Sequence, residues 1–307
     1  MLPFTHKVLF VLGKGGVGRT TISTALGLYF AELGKKTLII QWSLKDLISP
    51  IFQKEPVGHK HKEIYPNLYI MNYDPEITLK EYFVDHLNMT LFYKFIIENP
   101  QVKKLLQATP GLEEVFFLGR IFWLVELAKE ERGYEFDKII VDTPATGHGG
   151  ALFGVISTIS NFQFQGPLIY ETTRVAKMLQ DQEKVGTILV TLPEELPFEE
   201  TKELYSLIKK EMKRNPIALF VNKSIQWYLN GTYNFNTNLF EKFDVYKDTI
   251  KSVYLYLKNK FDYEVMIKNE FKEKTNVYSI PDLIFMKQNF DQFTRIQKIK
   301  EFFTDYG

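Results

Sequence analysis

Cysteine is absent from the 307-residue chain. Disulfides, thiolate zinc sites and thiol redox chemistry are therefore excluded, and the composition suits a reducing cytoplasm, the expected location. An excess of charge of either sign is also missing, since 38 Lys and Arg nearly cancel 37 Asp and Glu. No global field is available to hold nucleic acid phosphates, so no nucleic-acid partner is expected. Long apolar runs are lacking too: Val115 to Leu127 is interrupted by Arg120 and Glu126 and falls well short of the ~20 residues that cross a bilayer. The apolar run before Leu12 is short and leads into a glycine-rich loop, so it reads as a buried first strand and not a signal peptide.

What is present is a chain of 45% hydrophobic and 24% charged residues, able to bury a large core. Seven short β-rich runs are bounded by turn residues: Lys7 to Leu12, Thr37 to Trp42, Asn67 to Tyr73, Lys138 to Val141, Thr187 to Thr191, Ile217 to Val221 and Asn276 to Ile280. Most are continuously apolar, as suits strands covered on both faces, and helical patterns at Thr20 to Leu33, Glu171 to Gln180 and Glu199 to Lys213 supply crossovers. The expected fold is α/β, a doubly wound and mainly parallel sheet of the P-loop NTPase kind with helical insertions. One domain, 1–307, is expected, with a helical insertion at 76–131 and a second helical elaboration at 232–274.

The segment Gly13-Lys14-Gly15-Gly16-Val17-Gly18-Arg19-Thr20-Thr21 follows a strand and opens a helix, the context a phosphate-binding loop requires. Glycines let successive backbone N–H groups turn inward around phosphate oxygens, and the helix beginning near Arg19 adds the positive end of its dipole. Thr20 is placed to ligate Mg²⁺, and Thr21 to reach the α-phosphate of ATP. Asp142, at the carboxyl end of an apolar strand, lies where an α/β sheet gathers ligand-binding groups.

These residues, with Val141-Asp142-Thr143-Pro144-Ala145-Thr146-Gly147-His148 and Phe220-Val221-Asn222, resemble the arsenite-transporting and tail-anchored-protein-targeting ATPases, bacterial branch. A lysine directly after the first glycine resembles the deviant Walker A loop of that group. The resemblance runs from about residue 7 to 222. It implies an ATP- and Mg²⁺-dependent dimeric switch, a homodimer or a heterodimer with a paralogous ATPase. Lys14 would reach the partner's phosphates, Asp142 would orient Mg²⁺ or water, and Asn222 would read adenine through an amide offering both donor and acceptor.

Two positions depart from that pattern. Arg19 stands where Lys is usual, keeping the charge but replacing a compact ammonium with a wide planar fork. Ser43 stands where the family carries the carboxylate that positions the attacking water, and a hydroxyl is no general base without an activating neighbour. Asp46 is the one nearby substitute if its loop bends. Turnover is thus left open, and a pseudo-ATPase subunit that lends Lys14 to an active paralogue is the alternative. Without cysteines, arsenite binding is not expected, whereas an apolar protein client needs only a groove. Residues Leu87, Leu91, Phe92, Phe95, Ile96, Val115, Phe116, Phe117, Ile121, Phe122 and Trp123 are its candidates, against plain core packing. His59 and His61 read as solvent-exposed and not as a metal site. A C-terminal helix carrying Phe290, Phe293, Ile296, Ile299, Phe302 and Phe303 resembles the membrane-binding tails of septum-positioning ATPases, a second alternative, although docking on the sheet is favoured.

Overall fold

Every one of the seven β-rich runs forms a strand, because a run buried on both faces has only a sheet interior to occupy. In the computed structural model, which describes residues 2–43, 45–86, 91, 94, 99, 101, 111–133, 135–144, 152, 154, 167–226, 247–286 and 290–305, they are β1 (Val8–Leu12), β2 (Thr37–Gln41), β4 (Leu68–Asn72), β5 (Lys138–Asp142), β6 (Val185–Thr191), β7 (Ala218–Ser224) and β8 (Asn276–Pro281). One further strand, β3 (Lys62–Tyr65), was not expected from the sequence: Lys62 and Glu63 are exposed and only Ile64 is buried, the signature of a short charged edge. The sheet order is β3-β4-β2-β5-β1-β6-β7-β8, parallel throughout except for the β3–β4 pair. From β1 the chain passes to β2, β3 and β4 on one side and returns to β5 beside β1, then continues through β6, β7 and β8 on the other side, so β1 ends between β5 and β6 where the direction changes. Ligands of open α/β sheets bind at such a point.

Helices cover both faces. One face packs against α3 (Leu112–Glu126), α5 (Pro167–Gln180), α6 (Glu195–Met212) and α7 (Lys247–Phe271) through Phe117, Ile121, Leu179, Ile208 and Phe271. The other packs against α1 (Arg19–Glu32) and α8 (Gln292–Asp305) through Ile22, Leu26, Ile299 and Phe303. Two short helices, α2 (Pro75–Lys80) and α4 (Ala128–Arg132), and short helical turns at Ser49–Phe52, Glu81–His86 and Leu283–Phe285 complete the described elements. Asp74 caps α2 by accepting the Ile77 N–H at 3.0 Å.

Three readings meet the structure here: the favoured docking of the C-terminal helix holds, the groove candidates divide, and the solvent-exposed reading of His59 is overturned. The C-terminal helix is not a membrane tail: Ile296, Ile299, Phe302 and Phe303 are buried, and the helix lies against α1. No helix among the described residues is long and apolar enough to cross a membrane. Of the client-groove candidates, Phe117, Ile121 and Phe122 belong to the core because they face the sheet, while Val115, Phe116 and Trp123 are only partly covered. Leu91 is exposed, and Leu87, Phe92, Phe95 and Ile96 lie outside the described residues. His59 is buried and not solvated: its Nδ1 accepts the Asp74 N–H at 3.3 Å and its Nε2 faces Glu81 Oε2 at 3.1 Å. The loop folds back over the sheet edge, where His61 meets Phe136 edge-on at 5.3 Å.

At the opposite end of the sheet from the glycine loop, Lys138 opens β5 while only 7% exposed, its Nζ donating to the carbonyls of Phe4 (2.8 Å) and His6 (2.7 Å). Burial, helped by Lys35 and opposed by Asp137, draws its pKa down from 10.5 to about 8. Between those values the unfolded chain still holds a proton that the folded chain has released, so this residue's contribution to stability rises as pH climbs through the window. Guanidinium unfolding of wild type and Lys138→Met should diverge by about 1–3 kcal/mol in favour of wild type between pH ~7.5 and ~10.5. Parallel curves would show that the ammonium is not held in the low-dielectric site.

Candidate nucleotide site

The glycine loop leaves β1 under tight constraint. A Cβ at Gly13 would stand 2.5 Å from the Val190 carbonyl of β6, and one at Gly18 would stand 2.2 Å from Asn222 Nδ2. Gly18 also has φ +96°, a left-handed backbone that side chains disfavour. Gly15 and Gly16 lie exposed at the loop tip, and Val17 is buried beneath it. Helix α1 then begins with Gly18 at its N-cap, where no side-chain cap hydrogen bond is made. A helix N-terminus, with its positive dipole end directly behind a glycine-rich loop, has the chemistry that suits an anion such as phosphate.

Beside it, Asp142 is 5% exposed at the end of β5. Its Oδ2 accepts from Thr20 Oγ1 at 2.8 Å and its Oδ1 from Ser23 Oγ at 3.1 Å. Burial pushes its carboxyl up, against the opposing effects of Thr20, Arg19 and Ser23. Thr20 and Asp142 therefore present hydroxyl and carboxylate oxygens side by side, a hard donor pair that suits Mg²⁺. Ser23 was not anticipated from the sequence; its position one helical turn after Thr20 was the available signal. Thr21 is half-buried on α1.

Arg19 takes its own course. Its Nη1 donates to the Thr143 carbonyl at 2.8 Å, to Thr143 Oγ1 at 3.4 Å and to the Pro144 carbonyl, so the guanidinium is folded onto the chain just after β5. Thr143 is held in turn by donating to the Val11 carbonyl at 2.8 Å. Burial lowers the pKa of Arg19, with Asp142 opposing. Lys14 is half-buried at the mouth of the loop, with Nζ 3.6 Å from Glu200 Oε1 on α6. A partly exposed pair of this kind is worth at most about 1 kcal/mol, which leaves Lys14 easily released.

Asn222 comes from β7, on the other side of β1, and its Nδ2 donates to the Val17 carbonyl at 2.9 Å. Its Oδ1 accepts the Lys223 N–H at 3.0 Å. One amide hydrogen and one oxygen lone pair remain after those bonds.

On the β2 side, Ser43 is half-buried and its N–H donates to Asn72 Oδ1 at 3.3 Å. Asp46 does not replace the missing carboxylate. Its Oδ1 accepts from Gln41 Nε2 (2.6 Å) and from the N–H groups of Ile48 (2.9 Å) and Ser49 (3.0 Å), and its Oδ2 from the Val57 N–H (2.7 Å). Burial acts to raise its carboxyl, but the hydrogen bonds outweigh burial and hold it below the usual range. A carboxylate so occupied organises its own loop. Ala145 to His148 of the expected switch lie outside the described residues.

The family model described as "Anion-transporting ATPase" matches residues 6–165, just over half of the chain. The chain is 29% identical over 247 residues to "Putative arsenical pump-driving ATPase 2" of Aquifex aeolicus, covering 71% of this chain and 80% of that protein. It is 28% identical over 230 residues to ATPase BagA of Mycobacterium tuberculosis, covering 73% of this chain and 66% of that one. With ATPase GET3 of Komagataella phaffii it shares 27% identity over 250 residues, 69% and 72% of the two chains. A family model that covers more than half of the chain and spans both the glycine loop and Asp142 makes this chain a member of the anion-transporting ATPase family.

Proposed function

We propose that this chain is an ATP- and Mg²⁺-binding dimeric switch that hydrolyses ATP slowly. The observation that carries the reading is the start of α1, without a side-chain cap, beside the part-buried Thr20–Asp142 pair. Gly13, Gly15, Gly16, Val17 and Gly18 turn backbone amides toward the phosphates, and Thr21 meets the α-phosphate. Thr20 and Asp142 hold Mg²⁺, which, when bound, neutralises charge on the β- and γ-phosphates. Asn222 uses its remaining donor and acceptor on adenine. Lys14 exchanges Glu200 for the phosphates of a second subunit when two copies close on nucleotide.

Slow turnover follows from two features. Arg19 is engaged with Thr143 and Pro144, and Ser43 offers no carboxylate to orient water. Because phosphoryl transfer depends on positioning and electrostatics, both deficits fall on the chemical step more than on binding. The engagement of Arg19 also favours a second reading, a pseudo-ATPase that binds ATP and lends Lys14 to an active paralogue. For either, closure would reshape the helical surface around α3, where Val115, Phe116 and Trp123 border a cavity of about 680 Å³ suited to an apolar client.

Calorimetric titration of ATP with Mg²⁺ and with EDTA, paired with light scattering, tests the reading. Expected are saturable binding weakened at least about tenfold by EDTA and a doubling of mass with ATP that Lys14→Ala abolishes. No binding at millimolar ATP would sink it. Single-turnover cleavage of labelled ATP separates the two versions, since the pseudo-ATPase leaves ATP intact.

A further inference from the structure

Strand β7 does not run straight to its end. The β7–β8 register shifts between Val221 and Ser224, and Lys223 has φ +54°, so the chain bulges immediately after Asn222. A bulge takes backbone groups out of the ladder and re-aims the neighbouring side chain. Here the re-aimed side chain is Asn222, which crosses to the Val17 carbonyl of the phosphate loop. Polar groups freed in this way need partners where water is excluded.

Two oppositely charged residues of α7, one helical turn apart and therefore on one face, supply them. Glu264 is fully buried. Its Oε1 accepts from Ser224 Oγ at 2.6 Å and Ser279 Oγ at 2.7 Å, with Lys268 Nζ at 3.2 Å. Its Oε2 accepts the N–H groups of Ile225 at 3.3 Å and Gln226 at 3.4 Å. Lys260, 2% exposed, donates from Nζ to the Lys223 carbonyl at 3.4 Å and to Asp282 Oδ2 at 3.3 Å. Asp282 closes the circle by donating its own N–H to the Ser224 carbonyl at 2.9 Å. The carboxylate thus takes the donors of the turn after Asn222 and the ammonium takes its acceptor. Neither charge touches the phosphate loop or the Thr20–Asp142 pair. Burying two charges is costly without excellent geometry, and a plain strand end would need neither.

We propose that Lys260 and Glu264, each on its own partners, are together the positioning device for base selection: they hold the bulge that presents the Asn222 amide edge-on to a purine, so that adenine is preferred over guanine. This rests on the reading of Asn222 as the adenine contact. An amide donating to N7 and accepting from the 6-amino group fits adenine, whereas guanine offers acceptors at both places. A site that relies on one such amide loses discrimination when the amide turns away.

The test is the ratio of ATP to GTP affinity, each measured with Mg²⁺ by calorimetry on the full chain. Asn222→Ala and Glu264→Met should each lower that ratio about tenfold. Glu264→Gln should hold it within about threefold of wild type, because its oxygen still accepts the Ile225 and Gln226 N–H groups while its amide donates to the two serine hydroxyls and the partly exposed Lys268 turns to solvent. Should Glu264→Met fail to fold, Ser224→Ala, which removes one tie and leaves both charges, is expected to lower the ratio two- to threefold, a shift of roughly 0.4–0.7 kcal/mol. A role confined to stability would weaken ATP and GTP equally, and an unchanged ratio in folded Glu264→Met, or in Ser224→Ala if that is the variant available, overturns the proposal. If Asn222→Ala itself leaves the ratio unchanged, the base-reading role fails first. A drop with Asn222→Ala but not with the Glu264 or Ser224 variant sinks only the role of the pair.

Discussion

Arg19→Lys is expected to raise the single-turnover rate of ATP cleavage about tenfold or more and, at the same time, to lower stability by about 1–2 kcal/mol. The two effects have one source. Arg19 is 8% exposed and donates to the carbonyls of Thr143 and Pro144, holding the start of the segment after β5 against α1. A lysine there has the compact ammonium that fits beside the β- and γ-phosphates, and in giving up the guanidinium it leaves those two carbonyls short of a donor. Quench-flow measurement with protein in excess over labelled ATP reads the first effect, and guanidinium unfolding without nucleotide reads the second. A faster rate with unchanged stability would mean that the bonds to Thr143 and Pro144 carry no net energy. An unchanged rate would remove Arg19 as the limit on chemistry and leave Ser43 as the remaining deficit.

Asp142→Ala should cut cleavage by roughly 10²–10³-fold, about 3–4 kcal/mol of transition-state stabilisation, because it removes the carboxylate of the proposed metal pair. Stability should move the other way in the gentler variant Asp142→Asn. Burial raises the Asp142 pKa more than Thr20, Arg19 and Ser23 lower it, so keeping this carboxylate ionised costs more in the folded protein than in the unfolded chain. That cost is present above the raised pKa and disappears as pH falls through it, since the native state then takes up a proton before the unfolded chain does. Asp142→Asn is therefore expected to be at least as stable as wild type near neutrality, with its advantage fading on acidification. Unfolding curves at several pH values check this. A variant that unfolds more easily at neutral pH would show that the bonds from Thr20 and Ser23 to a charged acceptor outweigh desolvation. Retained cleavage in Asp142→Ala would place the metal elsewhere.

Much of the architecture was readable because it is encoded in contiguous residues. Continuous apolar runs such as Leu38 to Gln41 announce strands buried on both faces, and Gly13 to Thr21 announces a strand-to-helix turn whose glycines are required by close contacts and positive φ. The edge strand β3 was missed because Lys62, Glu63 and Tyr65 surround a single buried residue, leaving no alternation to detect. His59 was misread for a similar reason: its neighbours Lys60 and Lys62 are charged, and only the packing of α2 and Glu81 over the loop removes it from water.

The sequence alone announced seven of the eight strands, the doubly wound class and the strand-to-helix turn of the glycine loop, because backbone preference and burial period act over neighbouring residues; the strand order came with the assembled sheet. Tertiary structure alone decided where the polar side chains point. Arg19 meets Thr143, Lys14 meets Glu200, Asp46 is spent on its own loop, and Glu264 seizes the turn after Asn222 from 40 residues away. Each of those outcomes depends on which orphaned donors and acceptors the packed elements bring within ~3 Å of one another, a property of the assembled layers that no single stretch of chain contains.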